Sequence, residues 1–325
     1  MRRRELITML SGFAAWPFAV HAQQAAMPVI GYLGAGSPAP SASVLGIFRQ
    51  GLAEAGYVES RNVGIEYRFA EGRYDQLPVL AEELVRRQVA MIFANPSPAA
   101  LAAKAATATI PIVFTAAEDP VRLGLVTNLA RPTDNATGVT FQFAELGPKQ
   151  MGLLRELVPR AARIGFLVNP SNINAADVTK NLTAAGLAMG VQVEAVQASN
   201  ILDIDAAFAS LVRKRADALV VGPDSFFFSR RLQLATLATR HTIPAIYNIR
   251  EFAEAGGLMS YGTSLAEAYR QAGIYAGRIL KGTKPADLPV VQSSKFEFVI
   301  NLSTARALGL EIPATLLARA DEVIE

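Results

Sequence analysis

The 325-residue sequence has no cysteine. That absence removes disulfides, thiol nucleophiles and zinc–thiolate sites together. Histidine is nearly as scarce, with only His21 and His241. His241 follows Arg240 at an apparent helix end, where it suits terminal carbonyls better than catalytic base chemistry. Charge is thin: 18% of residues are charged and 51% hydrophobic, a composition that buries cores and does not stay disordered. No basic stripe interleaved with aromatics occurs, so nucleic acid is not an expected partner. After the N-terminus no run reaches the roughly 20 apolar residues of a membrane-spanning helix. Catalytic signatures are also missing, with neither a P-loop lysine motif nor a Gly-x-Ser-x-Gly elbow. Gly34-Ala35-Gly36-Ser37-Pro38-Ala39 follows an apolar run but lacks the third glycine of a dinucleotide loop and places proline at the turn. The acid Glu66 lies about 30 residues on, where a ribose-binding acid would be about 20. No enzyme activity, cofactor or metal site is expected.

What is present starts with a leader. Residues 1–22 read as a signal peptide: Arg2-Arg3-Arg4, an apolar stretch over 6–20, and Val20-His21-Ala22 ahead of a cleavage point before Gln23. Arg3-Arg4-Glu5-Leu6-Ile7 matches part of a twin-arginine export motif, and general secretion fits as well. Removing Arg2, Arg3, Arg4 and Glu5 takes the 31 basic and 28 acidic residues to 28 and 27. Lipid anchoring needs a cysteine at the cleavage point, so the expected address is the periplasm, with the chain free in it.

From Met27 onward short apolar runs alternate with amphipathic stretches. The first series covers 29–33, 65–69, 91–94 and 112–115, the second 164–168, 191–196, 218–221 and 245–247. The second recurs about every 27 residues, the length of one strand, one helix and two short loops, which implies parallel βαβ units. Between the runs, Ala175, Val178, Leu182, Ala185 and Met189 keep helical spacing, with Gly190 where a C-cap would fall. Leu77, Leu80, Ala81, Leu84 and Val85 make a similar stripe. These stripes read as core faces. The fold class is therefore α/β, with two doubly wound Rossmann-like lobes. A long helix over 264–280, a strand over 296–300 and a helix over 302–308 follow the second series, and suit a chain that crosses between lobes more than once through a multi-strand hinge. The N-terminal lobe is expected over 27–138 plus about 262–292, and the C-terminal lobe over 139–261 plus about 293–325.

Ligands of open α/β sheets bind beyond the carboxyl ends of the strands. The residues there are Ser37, then Ser97, then Thr115 and Glu118, and in the second series Asn169, Asn172, Asp224, Phe226 and Tyr247. Helix N-termini at Ser37 and Ser97 suit a carboxylate. Asp224 or Glu118 could face an amine, and Phe226, Phe227, Tyr247 and Tyr261 could cover an apolar part. Each Ser, Asn and Asp also has a reading as a helix cap or turn former. Three adjacent phenylalanines, Phe226 to Phe228, cannot all point into one core.

The chain resembles the ABC-transporter substrate-binding family typified by tryptophan- and phenylalanine-binding lipoproteins. The resemblance lies in Phe48-Arg49-Gln50-Gly51-Leu52, Gly56-Tyr57-Val58-Glu59, Asn62-Val63, Ile65-Glu66-Tyr67-Arg68 and Ile110-Pro111-Ile112-Val113-Phe114. It continues through Asp119-Pro120-Val121, Asn135-Ala136-Thr137-Gly138-Val139-Thr140, Ile279-Leu280-Lys281-Gly282 and Phe296-Glu297-Phe298-Val299-Ile300-Asn301-Leu302. It implies a type I periplasmic binding fold, a monomer that performs no chemistry, and an importer partner made of a permease with its ATPase. The ligand would be a small organic molecule, an amino acid or an aromatic or carboxylate compound, captured by hinge closure. Carried onto this sequence, Ser97 and Thr115 take the first lobe's hydroxyl role and Asp224 the second lobe's acid role. Many relatives have Gly-Thr-Pro where this chain has Asn95-Pro96-Ser97-Pro98. A periplasmic ligand-sensing module for a membrane receptor would share these features.

Overall fold

The computed structural model describes residues 27–132, 134–141, 146–293 and 295–325. The expected signal peptide lies outside the described residues. Two sheets organise the chain. The first has strand order β11-β5-β4-β3-β1-β2 and the second β13-β12-β10-β9-β8-β6-β7. In the first sheet, β1 (Val29–Gly34), β2 (Gly64–Phe69), β3 (Met91–Asn95), β4 (Ile112–Ala116), β5 (Ala136–Thr140) and β11 (Val291–Gln292) pair in parallel. In the second, β6 (Arg163–Val168), β7 (Gln192–Gln197), β8 (Ala218–Val221), β9 (Ala245–Tyr247), β10 (Met259–Thr263), β12 (Phe296–Asn301) and β13 (Glu322–Ile324) are parallel except across β10–β12. β4, β5 and β8 are buried along their whole length. Strands covered by helices on both faces read as unbroken apolar runs, which is why the two series were visible in the sequence.

The helices follow the same logic. α1 spans Pro38–Glu54, α2 Leu77–Arg86, α3 Ser97–Ala106, α4 Leu146–Leu157, α5 Ala175–Ala188 and α6 Ile201–Arg213. α2 buries Leu77, Ala81 and Leu84, with Leu80 and Val85 packed beside them. α5 lays Leu182 into the second lobe's core with Val178, Ala185 and Met189 around it. It stops where Gly190 takes φ +69° and Val191 N–H reaches back to the Gly186 carbonyl at 2.8 Å, the left-handed stop that glycine makes without a Cβ clash. α7 (Ser225–Ser229), α8 (Arg231–Arg240), α9 (Arg250–Glu254), α11 (Leu302–Ala307) and α12 (Ala314–Leu317) complete the second lobe, and the His241 N–H closes α8 on the Leu237 carbonyl.

The chain changes sheets between Thr140 and Leu146, between Thr263 and Leu265, and between Gln292 and Phe296. β5 stays paired with β4 through Ala116 and Thr140, so the first change falls a little after the expected 138. After the second change α10 (Leu265–Leu280) returns to the first sheet and buries Ala268, Ala272, Tyr275 and Ile279 in the same core as Phe48 and Phe93. It lies on α1 so closely that a Cβ on Gly273 would stand 2.1 Å from the Phe48 carbonyl oxygen. Leu265, just past the crossing, packs against the cores of both lobes.

Candidate functional site

The carboxyl ends of the two sheets face each other across a cleft. A cavity of about 100 Å³ is walled by Asn95, Ser97, Glu118 and Tyr269 from the first lobe's side, and by Asn172, Asp224, Phe228 and Asn248 from the second. Beyond Glu118 a wider cavity of about 690 Å³ opens outward past Arg122, Asp177 and Lys180. Val44, Leu265, Phe141 and Ile249 give the inner cavity apolar surface, so its wall joins a few polar groups to a greasy lining, the usual composition of small-molecule sites.

On the first lobe, Asn95 ends β3 and is held from three sides. Thr115 Oγ1 donates to its Oδ1 at 2.6 Å, Tyr269 Oη donates to the same oxygen at 2.7 Å, and its Nδ2 donates to Tyr32 Oη at 3.3 Å. Burial holds the Tyr269 phenol well above its ordinary range, so it stays a donor. Tyr269→Phe is expected to cost about 1–2 kcal/mol, the worth of one buried hydrogen bond, read as a lower urea midpoint at unchanged slope. Ser97, fully buried at the start of α3, accepts the Ala117 N–H at 2.9 Å and ties the β3 loop to the β4 loop. The first N–H groups of α3 have no intrahelical acceptor and lie on this side of the cleft.

Glu118, half-buried, follows directly on that tie. Burial pushes its carboxyl up to about 7, against the opposing pull of the Ser97 hydroxyl and nearby backbone. Asn174, at the start of α5 in the second lobe, donates through Nδ2 to Glu118 Oε1. The other oxygen, Oε2, is buried without a hydrogen-bond partner.

Asp224 is placed differently from the sequence expectation. It caps α7, accepting the Phe226 and Phe227 N–H groups at 2.8 and 3.3 Å. Asn169 Nδ2 donates to Oδ1 at 3.1 Å, and Asn172 Nδ2 donates to Oδ2 at 2.8 Å. Tyr74 Oη, from the first lobe, donates to Oδ2 at 2.7 Å. With both oxygens committed to five donors, the carboxylate is a cap and a bridge between lobes. Burial first, then the Asp224 charge, drives the Tyr74 phenol well above its ordinary range, so this bridge keeps its proton.

Of the expected residues, Ser97, Glu118, Asn172 and Asp224 come together on the cavity wall. Six do not reach it. Thr115 and Asn169 stand behind it, buried against Asn95 and Asp224. Ser37 only offers its backbone carbonyl to the Ser41 hydroxyl. Tyr247 and Tyr261 lie within strands and therefore point to sheet faces: Tyr247 stacks on Phe252 at 4.6 Å, and Tyr261 on Phe296 at 6.0 Å. Phe226 packs into the second lobe's core, as does Phe227. On a helix successive side chains fan about 100° apart, so Phe228 is the ring that reaches the cavity. Asn95, Tyr74, Asn174, Asn248, Phe228 and Tyr269 also belong to the site and were not among the chosen residues. Asn95 and Asn248 carried a usable signal, each standing at a parallel strand's carboxyl end. Tyr74 and Tyr269 come from elements outside the strand-end loops and carried none.

Comparison with known proteins agrees with this architecture. A tyrosine-binding protein of Clostridioides difficile is 29% identical over 264 residues, 81% of this chain and 76% of that protein. The structure of a Streptococcus pneumoniae ABC domain in complex with L-Trp is 27% identical, covers 91% of this chain and 99% of its own, and superposes with a TM-score of 0.82. The ligand-free, open structure of a substrate-binding protein with adhesive properties from Clostridium difficile has the same identity and coverage but a TM-score of 0.64. The fold is that of type I periplasmic binding proteins. The family model described as ABC transporter substrate binding protein matches residues 36–324, and the chain belongs to that family.

Proposed function

We propose that this chain is the periplasmic solute-binding component of an ABC importer. It takes up an α-amino acid with an aromatic side chain between its lobes, closes on it, and presents the closed form to a permease with its ATPase. One observation carries the reading. The lobe arrangement matches the relative complexed with L-Trp far better than the open, ligand-free relative, at equal identity and coverage, and a cavity with both polar and aromatic walls sits between the lobes. The named ligands of two relatives, tyrosine and L-Trp, support the ligand class. Bonds between the lobes exist only when the cleft is closed, so a ligand that adds its own bonds to both lobes shifts the population toward closure. The chain acts by binding alone, as a monomer without cofactor, and returns its ligand unchanged. Its leader directs it to the periplasm, and among the described residues no helix is long and apolar enough to cross a membrane.

The test is a thermal-shift screen of the chain from residue 23 against the twenty amino acids, their des-amino acids and small carboxylates. An aromatic amino acid at 100 times its Kd adds about 2.7 kcal/mol, seen as a rise of several degrees in Tm. A screen in which no amino acid moves Tm would overturn the reading.

A further inference from the structure

Resting on that reading, we infer that Glu118 makes closure of the cleft conditional on a positive charge: its carboxylate is enclosed between the lobes only when a ligand ammonium or a proton enters with it. The ligand must then be an amine, and at neutral pH the empty protein is held open.

The acids around the cleft differ in what they have free. Asp224 is committed to five protein donors. Asp177 pairs with Arg122 at 3.5 Å, and Asp119 accepts the Val121 N–H at 2.9 Å. Glu118 alone among these stands where the inner and outer cavities meet, with one oxygen bonded across the cleft by Asn174 and the other buried and unpartnered. Among the described residues no lysine or arginine forms an ion pair with it, although Arg122 on its own loop and Lys180 on α5 border the outer cavity. Enclosing an uncompensated carboxylate is strongly unfavourable, and the group neutralises or finds a cation instead. An ammonium at the free oxygen would supply that cation with a charge-assisted hydrogen bond.

In the empty closed cleft burial holds this carboxyl at about 7, while in an open cleft a solvated glutamate titrates at about 4.3. Closure therefore takes up a proton between these values, and empty closure becomes easier as pH falls through 7. Glu251 on α9, also pushed to about 7 by burial, titrates in the same range, so wild type is compared with Glu118→Gln, which keeps the shape and removes the charge.

Small-angle X-ray scattering of the empty proteins at pH 8 and pH 5.5 reads the closure. Wild type is expected to contract on acidification, and Glu118→Gln to be contracted already at pH 8. Calorimetry with L-tryptophan and its des-amino analogue indole-3-propionate reads the amine. Wild type should prefer L-tryptophan, and in Glu118→Gln that preference should shrink by about 10- to 100-fold. If Glu118→Gln keeps the preference and scatters like wild type at both pH values while L-tryptophan still contracts both proteins, the role of Glu118 is overturned and the solute-binding reading stands. If no amino acid binds or contracts wild type, the solute-binding reading falls and this inference with it.

Discussion

Asp224→Ala is expected to destabilise the protein strongly. The substitution deletes the cap of α7, worth about 1 kcal/mol. It also strands the Asn169 amide, the Asn172 amide and the Tyr74 hydroxyl, which now donate to the carboxylate. Each buried donor left without an acceptor costs about 1–3 kcal/mol, and the tightest of them, Asn169, is only 2% exposed. The sum is roughly 4 kcal/mol or more, which for lobes of this size lowers Tm by about 8–16 °C or more. Asp224→Asn, which keeps one acceptor oxygen for the cap, should lose about half as much. Thermal unfolding followed by circular dichroism makes the comparison. An alanine variant that melts with wild type would mean that the carboxylate is not the joint described above and is free for a ligand.

The second large effect lies far from the cleft. Gly273→Val should cost about 3 kcal/mol or more, at the upper end of overpacking. A Cβ at this position would stand 2.1 Å from the Phe48 carbonyl oxygen and 2.7 Å from the Leu52 nitrogen. Both are backbone atoms of α1, so no rotamer change can relieve the contact. Gly51 faces the same seam from the other side, where a Cβ would meet the Arg270 carbonyl oxygen at 2.0 Å. Paired glycines let α1 and α10 approach backbone to backbone, and α10 begins directly after a crossing between the lobes. Pushing it outward also moves Tyr269, whose hydroxyl holds Asn95. Urea unfolding should show a lower midpoint for Gly273→Val, whereas Gly46→Ala, on α1 with open space around it, should be unchanged or slightly stabilised. Equal midpoints for Gly273→Val and wild type would contradict the close seam.

The sequence carried the architecture further than the site. Parallel strands buried on both faces leave unbroken apolar runs, and α2 and α5 leave stripes with a clean helical period, so the doubly wound pattern could be read residue by residue. Short elements left no such trace: β11 has two residues and α9 five, too few for a period to show. In the site, strand-end position leads to residues that line the cavity, Ser97, Glu118, Asn172 and Asp224, because a parallel sheet delivers its loops to one edge. Roles were harder to read than places. Whether an aspartate caps a helix or meets a ligand depends on the donors that converge on it. The three side-chain donors on Asp224 come from residues 55, 52 and 150 positions away in sequence. Tyrosines at strand ends looked like cleft residues, but both obey the alternation of the strand: Tyr247 enters the core, and half-buried Tyr261 packs against it. The aromatic on the cleft, Phe228, was one of three neighbours that only the phase of a five-residue helix could separate.

We expect the chain to bind an aromatic amino acid one to one and to leave it chemically unchanged. Native mass spectrometry of the chain from residue 23, mixed with all twenty amino acids at equal concentration, decides this. The expected spectrum shows a single adduct with the mass of tryptophan, tyrosine or phenylalanine, released intact on denaturation. A spectrum with no adduct, or with a ligand of altered mass, would contradict the claim.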